Sequence, residues 1–280
     1  MDPVVTHQDL QKLVRNLGAT RSGEQAQALA SLMQLIDESD DNLATVAAAA
    51  AIPHLVQLLG PGSAAEVQEM AAHAVAKLSR SAENKVIIAA AGAIIPLLQM
   101  LAPGSEDGVQ ETAVAALVNL AGNAENRVSI AAAGAIPLLV QLLGPGCSAD
   151  KQETAAGVLA NLALDAKNAA TFAAAGAIPQ LVLLLGPDST ADIQMTASLN
   201  SLATDAANAV AIVAAGAIPR LVQLLGRDTP DQVQRFAVRA LETLGKNNAE
   251  NRAAIAALEA DADVLLQGMA GLGIDSLTDD

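Results

Sequence analysis

The side chains able to do chemistry in this chain are few, and their spacing points to recognition. The three histidines, His7, His54 and His73, are scattered, and none lies in an HExxH run or beside paired carboxylates, so no metal ligand set or general base is assembled. Cys147 is the single cysteine. It excludes an intramolecular disulfide, sits in no nucleophile or metal constellation, and fits a reducing compartment. Gly-Pro-Gly at 60–62 and 144–146 breaks helices but lacks the Lys-Ser/Thr that a phosphate loop needs. What recurs is polar and periodic. Glu69, Glu111 and Glu153 follow one another at intervals of 42 residues, and Asn119 and Asn161 do the same. Arg235 and Arg239 stand four residues apart, with Arg220, Arg227, Lys246 and Arg252 nearby. Carboxylates, amides and guanidinium groups at fixed intervals bind other groups; without a nucleophile and base they turn nothing over.

Composition bounds the elements that must carry these residues. Of 280 residues 52% are hydrophobic and 1% aromatic, with no Trp or Tyr and only Phe172 and Phe236. Such a core consists of Ala, Leu, Ile and Val, which suits helices packed at close range. A net charge of −15 opposes nucleic-acid binding, which needs clustered Lys and Arg, and favours solubility and basic partners. The N-terminal MDPVVTHQDL has no apolar signal core, and Asp2 removes the glycine that myristoylation requires. The most apolar window, 169–187, contains Pro179, and its counterpart one repeat later carries Arg220. Buried helices are expected there and not a membrane span. The expected location is cytoplasmic, with the nucleus open to it as well.

The elements repeat. GAIPLLVQLLGPG at 134–146 returns as AIPHLVQLLGPG (51–62), GAIIPLLQMLAPG (92–104), GAIPQLVLLLGPD (176–188) and GAIPRLVQLLGRD (216–228). Gly92, Gly134 and Gly176 are 42 residues apart and Gly216 follows after 40, a period that marks a stacked repeat array. Each unit reads as three helices. The first is expected to start on an Asn N-cap (Asn42, Asn84, Asn126, Asn168, Asn208) and to stop at a left-handed glycine, with Ala50 a weaker stop in the first repeat. The second opens with a proline in its first turn and carries the LVxLL stripe. Repeat two is shifted by one, with Ile95 before Pro96. The third, longer helix follows a small polar cap such as Ser148 or Thr229. Its fourth copy, 193–203, is two residues short inside the helix, so the start of that helix must re-phase or unwind. The expected organisation is one array: an N-terminal cap over 3–41, repeats 42–83, 84–125, 126–167, 168–207 and 208–250, a C-terminal cap over 251–271 and an acidic tail over 272–280.

Three helices in about 42 residues, a repeated GAIPxLVxLL junction and a long third helix ending in LxNLA resemble armadillo repeats over roughly residues 3–271. The resemblance implies an all-α, right-handed armadillo solenoid that binds an extended peptide or protein segment in a groove lined by the third helices. No cofactor, metal, small-molecule substrate or catalysis is implied. In related nuclear-transport adaptors of the importin-α type, an Asn in each third helix grips the peptide backbone and a Trp four residues earlier forms pockets for Lys and Arg. The Asn position falls here on Lys77, Asn119, Asn161, Ser201 and Thr243, with Gln34 in the N-terminal cap. The Trp position falls on His73, Ala115, Gly157, Ala197 and Arg239. Two of the Asn positions match and no Trp position does, so the importin-like alternative is disfavoured. Eight residues before the Asn position stand Glu69, Glu111, Glu153, Ile193 and Arg235. The expected partner brings basic residues to the acidic positions and an acidic one to the arginines.

Overall fold

The Gly-Ala-Ile-Pro junction decides how the chain turns. In the computed structural model, which describes residues 7–38, 46, 50–186, 192–226, 229–246 and 248–260, Gly92, Gly134, Gly176 and Gly216 have φ of 89°, 83°, 66° and 80°. These left-handed residues end the first helix of a repeat and let the second leave at a sharp angle. Ala50 makes the same turn at φ 62°, the single non-glycine residue with positive φ among those described. The prolines then sit in the first turn of the second helix, where their missing N–H leaves no bond unmade. In repeat two that helix starts one residue later, at Ile94, so Pro96 keeps the third helical position that Pro53, Pro179 and Pro219 hold elsewhere.

Two compact units partition the chain, Met1–Leu138 and Leu139–Asp280. The first contains α1 (His7–Leu17), α2 (Ser22–Glu38), α3 (Ala51–Leu58), α4 (Ala65–Leu78), α5 (Ala82–Ala90), α6 (Ile94–Gln99), α7 (Asp107–Leu120) and α8 (Ala124–Ala132); the division falls within α9 (Ala135–Gln141). The second contains α10 (Ala149–Ala163), a 3-10 turn at Ala166–Asn168, α11 (Ala169–Ala174), α12 (Ala177–Leu184), α13 (Asp192–Leu202), α14 (Ala206–Ala214), α15 (Ala217–Gln223), α16 (Asp231–Lys246) and α17 (Ala249–Ala260). No strand occurs among the described residues. Within each unit the broadest packing is between consecutive third helices: α2 on α4 and α4 on α7 in one, α10 on α13 and α13 on α16 in the other. Within each unit a repeat closes its apolar stripe on the next, as repeat arrays must. Leu97, Leu117, Leu139 and Leu181 are wholly buried. The apolar window 169–187 is broken into α11 and α12 at Gly176, and no single described helix is long and apolar enough to cross a membrane. Asn42, the C-terminal cap beyond 260 and the acidic tail lie outside the described residues.

The asparagines expected as N-caps do something else. In repeats two, three and five the first helices begin two residues earlier, capped by Ser81, Asn123 and Asp205, the last two accepting from a backbone N–H. In repeat four Asn168 does sit at the N-cap of α11 but makes no side-chain cap bond, and Asp165 caps the 3-10 turn before it. Asn84, Asn126, Asn168, Asn208 and Asn251 are instead buried. Their amides donate to main-chain carbonyls: Asn84 to Leu78 at 3.1 Å, Asn126 to Leu120 at 3.2 Å and Lys85 at 3.0 Å, Asn168 to Leu162 at 2.7 Å, Asn208 to Ala169 at 3.1 Å, Asn251 to Leu244 at 2.9 Å. The carbonyls at the end of a helix have no partner within it. A short amide one turn into the next helix reaches them, whereas an N-cap faces the other way. Two of these bonds cross to the preceding repeat (Asn126 to Lys85, Asn208 to Ala169), so the asparagines also hold neighbouring first helices in register.

In repeat four the second of the two expected outcomes holds. Its third helix keeps its phase and is shortened at its start; α13 begins at Asp192 and its C-terminal half runs in step with the others. Met195, Thr196, Ser198, Leu199 and Leu202 are buried, just as Ala113, Val114, Ala116, Leu117 and Leu120 are in α7. The two missing residues fall ahead of Asp192. Burial fixes the phase of the helix from its C-terminal half, so the deficit is pushed out to its start.

Candidate functional site

The third helices carry all the candidate residues, at exposed or half-buried positions. In the first unit, α4 presents Glu69, His73 and Lys77, and α7 presents Glu111, Ala115 and Asn119. In the second unit, Glu153, Gly157 and Asn161 lie on α10; Ile193, Ala197 and Ser201 on α13; and Arg235, Arg239 and Thr243 on α16. The spacing of four residues keeps each set on one helical stripe. His73, Glu111, Arg235 and Arg239 are exposed, and the others are half-buried.

The Asn position is less free than the resemblance implied. Asn119 donates its amide to the Ala76 carbonyl of α4 at 2.9 Å, and Lys77 pairs with the Asp37 carboxylate of α2. Thr243 reaches back to the amide of Asn200 on α13 at 3.1 Å and to the Arg239 carbonyl at 2.7 Å. Ser201 bonds the Ala197 carbonyl of its own helix at 3.0 Å. This position therefore ties one third helix to the one before it at Lys77, Asn119 and Thr243. Asn161 makes no side-chain hydrogen bond among the described residues, and its amide stays open.

Among the acidic positions, half-buried Glu69 is also held in place. The Glu69 carboxylate lies over Gly108 in the first turn of α7, close enough that a Cβ there would be 2.8 Å from Glu69 Oε1. The N-terminus of a helix carries partial positive charge, so α7 stabilises the Glu69 carboxylate in place. Among the described residues no group of three or more His, Cys, Asp or Glu side chains is placed to hold a metal ion.

A further set, not read from sequence, fixes where the third helices start. Gln68 donates to the Gly60 carbonyl at 2.8 Å, Gln110 to Ala102 at 3.1 Å, Gln152 to Gly144 at 3.1 Å and Gln234 to Gly226 at 2.9 Å. Each glutamine satisfies an orphan carbonyl where a second helix ends. In repeat four the same place, nine residues before the Asn position, is held by Asp192. It is 4% exposed, and its carboxylate accepts the Gly186 N–H at 3.2 Å. Burial raises its pKa to about 6, and the Gly186 bond offsets part of that rise. Gln194, which imitates the repeating glutamine in sequence, has its Oε1 buried without a partner among the described residues. The recurring VQE and KQE runs carried the signal for the set, and alignment from the helix C-terminus is what separates Asp192 from Gln194.

Comparison with known proteins agrees with this geometry. An engineered protein of known crystal structure is 32% identical, with a TM-score of 0.77 over 85% of this chain and 97% of its own. A designed armadillo repeat protein is 30% identical, TM-score 0.76, over 84% and 99% respectively. Another, solved in complex with the peptide (KR)4, is 29% identical, TM-score 0.74, over 84% and 99%. No curated protein matches the chain in sequence. The fold is thus an all-α armadillo-type solenoid, and the chain is an armadillo-repeat scaffold. The family model of kinesin-associated protein (KAP) matches residues 11–237, and the chain belongs to that family.

Proposed function

We propose that this protein is a non-catalytic interaction scaffold whose third-helix faces bind extended segments of partner proteins. The observation that carries the reading is the set of polar side chains at helical spacing, exposed or half-buried, on packed third helices. A similar designed armadillo repeat protein was solved with a peptide of alternating Lys and Arg. In the first unit Glu69 and Glu111 supply carboxylates that suit basic side chains of a partner, and Glu153 does so in the second. The family's name associates its members with kinesin, so a kinesin subunit is a first partner to try.

Two measurements test this. A photo-crosslinking residue at position 115 should capture a bound (KR)4 peptide, whereas one at Val128, on a first helix, should not. The double variant E69K/E111K should weaken (KR)4 at least tenfold at low salt, while its stability falls only by about the 0.3–1 kcal/mol that Glu69 gains at the N-terminus of α7. Exposed pairs contribute about 0.2–1 kcal/mol each, so the effect is the sum of several. Equal binding by both proteins, with no preference for position 115, would reduce the face to solvated surface.

A further inference from the structure

The arginines of this chain divide into two kinds. Arg15 donates to the Gln11 carbonyl at 3.4 Å, Arg127 to Ala121 at 3.3 Å, Arg220 to Leu185 at 2.8 Å and Arg252 to Gly245 at 2.9 Å. Arg21 pairs with Glu24 at 3.7 Å, and Arg80 is also engaged. Arg127 and Arg252 reach carbonyls at the ends of third helices, and Arg220 those at the end of α12, where orphan acceptors abound. Among the described residues, Arg235 and Arg239 alone of the arginines have no hydrogen-bond or ion-pair partner. Their position in α16 explains why: the carbonyls around them are already used within the helix, so a guanidinium on this face finds no acceptor among the described residues.

Acids were available and are not used. Asp231 stands four residues before Arg235 and Glu242 three after Arg239, yet neither forms an ion pair with them. Two like charges at i and i+4 repel and weaken their own helix. In a chain of net charge −15, leaving them bare on one stripe suits an acceptor that comes from outside. The basic residue on the corresponding face of the first unit, Lys77, is already neutralised by Asp37.

We infer that Arg235 and Arg239 form a clamp for an acidic segment of a partner protein. Neighbouring positions on a helix face place their side chains about 5–6 Å apart at Cβ, so two guanidinium forks can close on one carboxylate or on consecutive ones, each through paired N–H donors. Thr243, one turn on, is held by Asn200 and Arg239, which keeps that part of the stripe ordered beside the clamp. The inference rests on the reading of the third-helix face as a binding surface, and it assigns the α16 end to carboxylates.

The test uses the full chain and a fluorescent (Glu)8 peptide, with (Lys)8 and a neutral Gly-Ser octapeptide as controls, at 50 and 200 mM salt. The wild type should bind (Glu)8 above the neutral peptide, with affinity falling steeply as salt rises, whereas (Lys)8, which Glu69 and Glu111 attract, should bind the wild type and R235A/R239A alike. R235A/R239A should lose at least tenfold and each single variant about threefold, whereas V128A, at an exposed position on a first helix, should leave (Glu)8 binding unchanged. Both arginines are exposed, so circular dichroism and melting of R235A/R239A should match the wild type. Binding of (Glu)8 that is indifferent to R235A/R239A overturns the clamp alone. Failure of (Glu)8 to bind the wild type overturns the clamp, and failure of (KR)4 to crosslink at position 115 overturns the wider reading.

Discussion

Repeat two and repeat four are built on one plan, and the differences between them show which parts of the plan are essential. In repeat two the third helix has 14 residues; in repeat four it has 11. Val114 and Ala116 line the core of the first, whereas Thr196 and Ser198 take their places in the second. Those hydroxyls bend back to carbonyls of their own helix, Thr196 to Asp192 at 2.6 Å and Ile193 at 3.1 Å, and Ser198 to Gln194 at 2.7 Å. Back-bonding of this sort competes with the helix. The glutamine tie of repeat two becomes a buried carboxylate in repeat four, and α12 ends on an extended Leu185, with Arg220 donating to its carbonyl. Repeat four keeps the phase of its core and gives up its tie, its length and part of its apolar lining. The core register is therefore what the array protects.

The largest test of this comparison is at the first helix. Phe172 is fully buried where Ile88, Ile130 and Ile212 stand in other repeats, so repeat four relies on one large side chain. Phe172→Ala should cost about 3–5 kcal/mol in chemical denaturation, and Ile88→Val only about 0.5–1.5 kcal/mol. Equal losses would show that repeat four does not depend on this residue more than its neighbours do.

The ties come next and should respond with opposite sign. Gln110→Ala strips a partner from the Ala102 carbonyl and should destabilise by about 1–3 kcal/mol. Asp192→Asn should stabilise at pH 7. The folded pKa of Asp192 lies near 6, above the ordinary 3.8, so its protonated form favours the fold. That stability is complete below pH 4 and is lost as pH rises through 6. The asparagine variant should gain roughly 1–2 kcal/mol at pH 7 and lose the advantage as the solution approaches pH 4. A constant difference across that range would show that Asp192 is not the titrating group.

Much of this was legible in the residues themselves. The 42-residue period, the left-handed glycines and the proline-opened second helices depend on local backbone rules, and each fell where the sequence placed it. Partner choice was not legible. Asn84 and Asn119 are the same residue type with two different jobs, one closing the end of α4 and one bracing α7 on α4, and no local rule separates them. Asp192 and Gln194 could be told apart only once the helix was aligned from its buried end.

That ambiguity can be tested on the Asn position. Asn119→Ala removes an inter-helix hydrogen bond from a half-buried site and should cost about 0.5–1.5 kcal/mol. Asn161, with no such bond among the described residues, should change stability by less than about 0.5 kcal/mol. Asn161→Ala should instead lower affinity for a peptide bound on α10, measured by fluorescence anisotropy. If both variants melt alike, the Ala76 bond adds nothing to stability.

The smallest effect is at the junction, where repeat one departs from the other four. Ala50 adopts φ 62°, a conformation that costs an L-residue roughly 1–2 kcal/mol. Glycine removes that strain but loses more freedom on folding, which takes back about 0.5–1 kcal/mol. Ala50→Gly should therefore stabilise by only about 0.5 kcal/mol, the difference of those two terms. Gly92→Ala is the converse, and it is free of steric confusion because a Cβ at Gly92 would meet no atom within 4 Å. Its loss should match the gain at Ala50 in size if backbone strain is the whole cause. A Gly92→Ala loss several times larger would mean that the first helix of repeat two shifts to relieve the strain, and that repeat one has already absorbed that shift around Ala50. Thermal midpoints of the two variants and of their combination, which should cancel, decide between these outcomes.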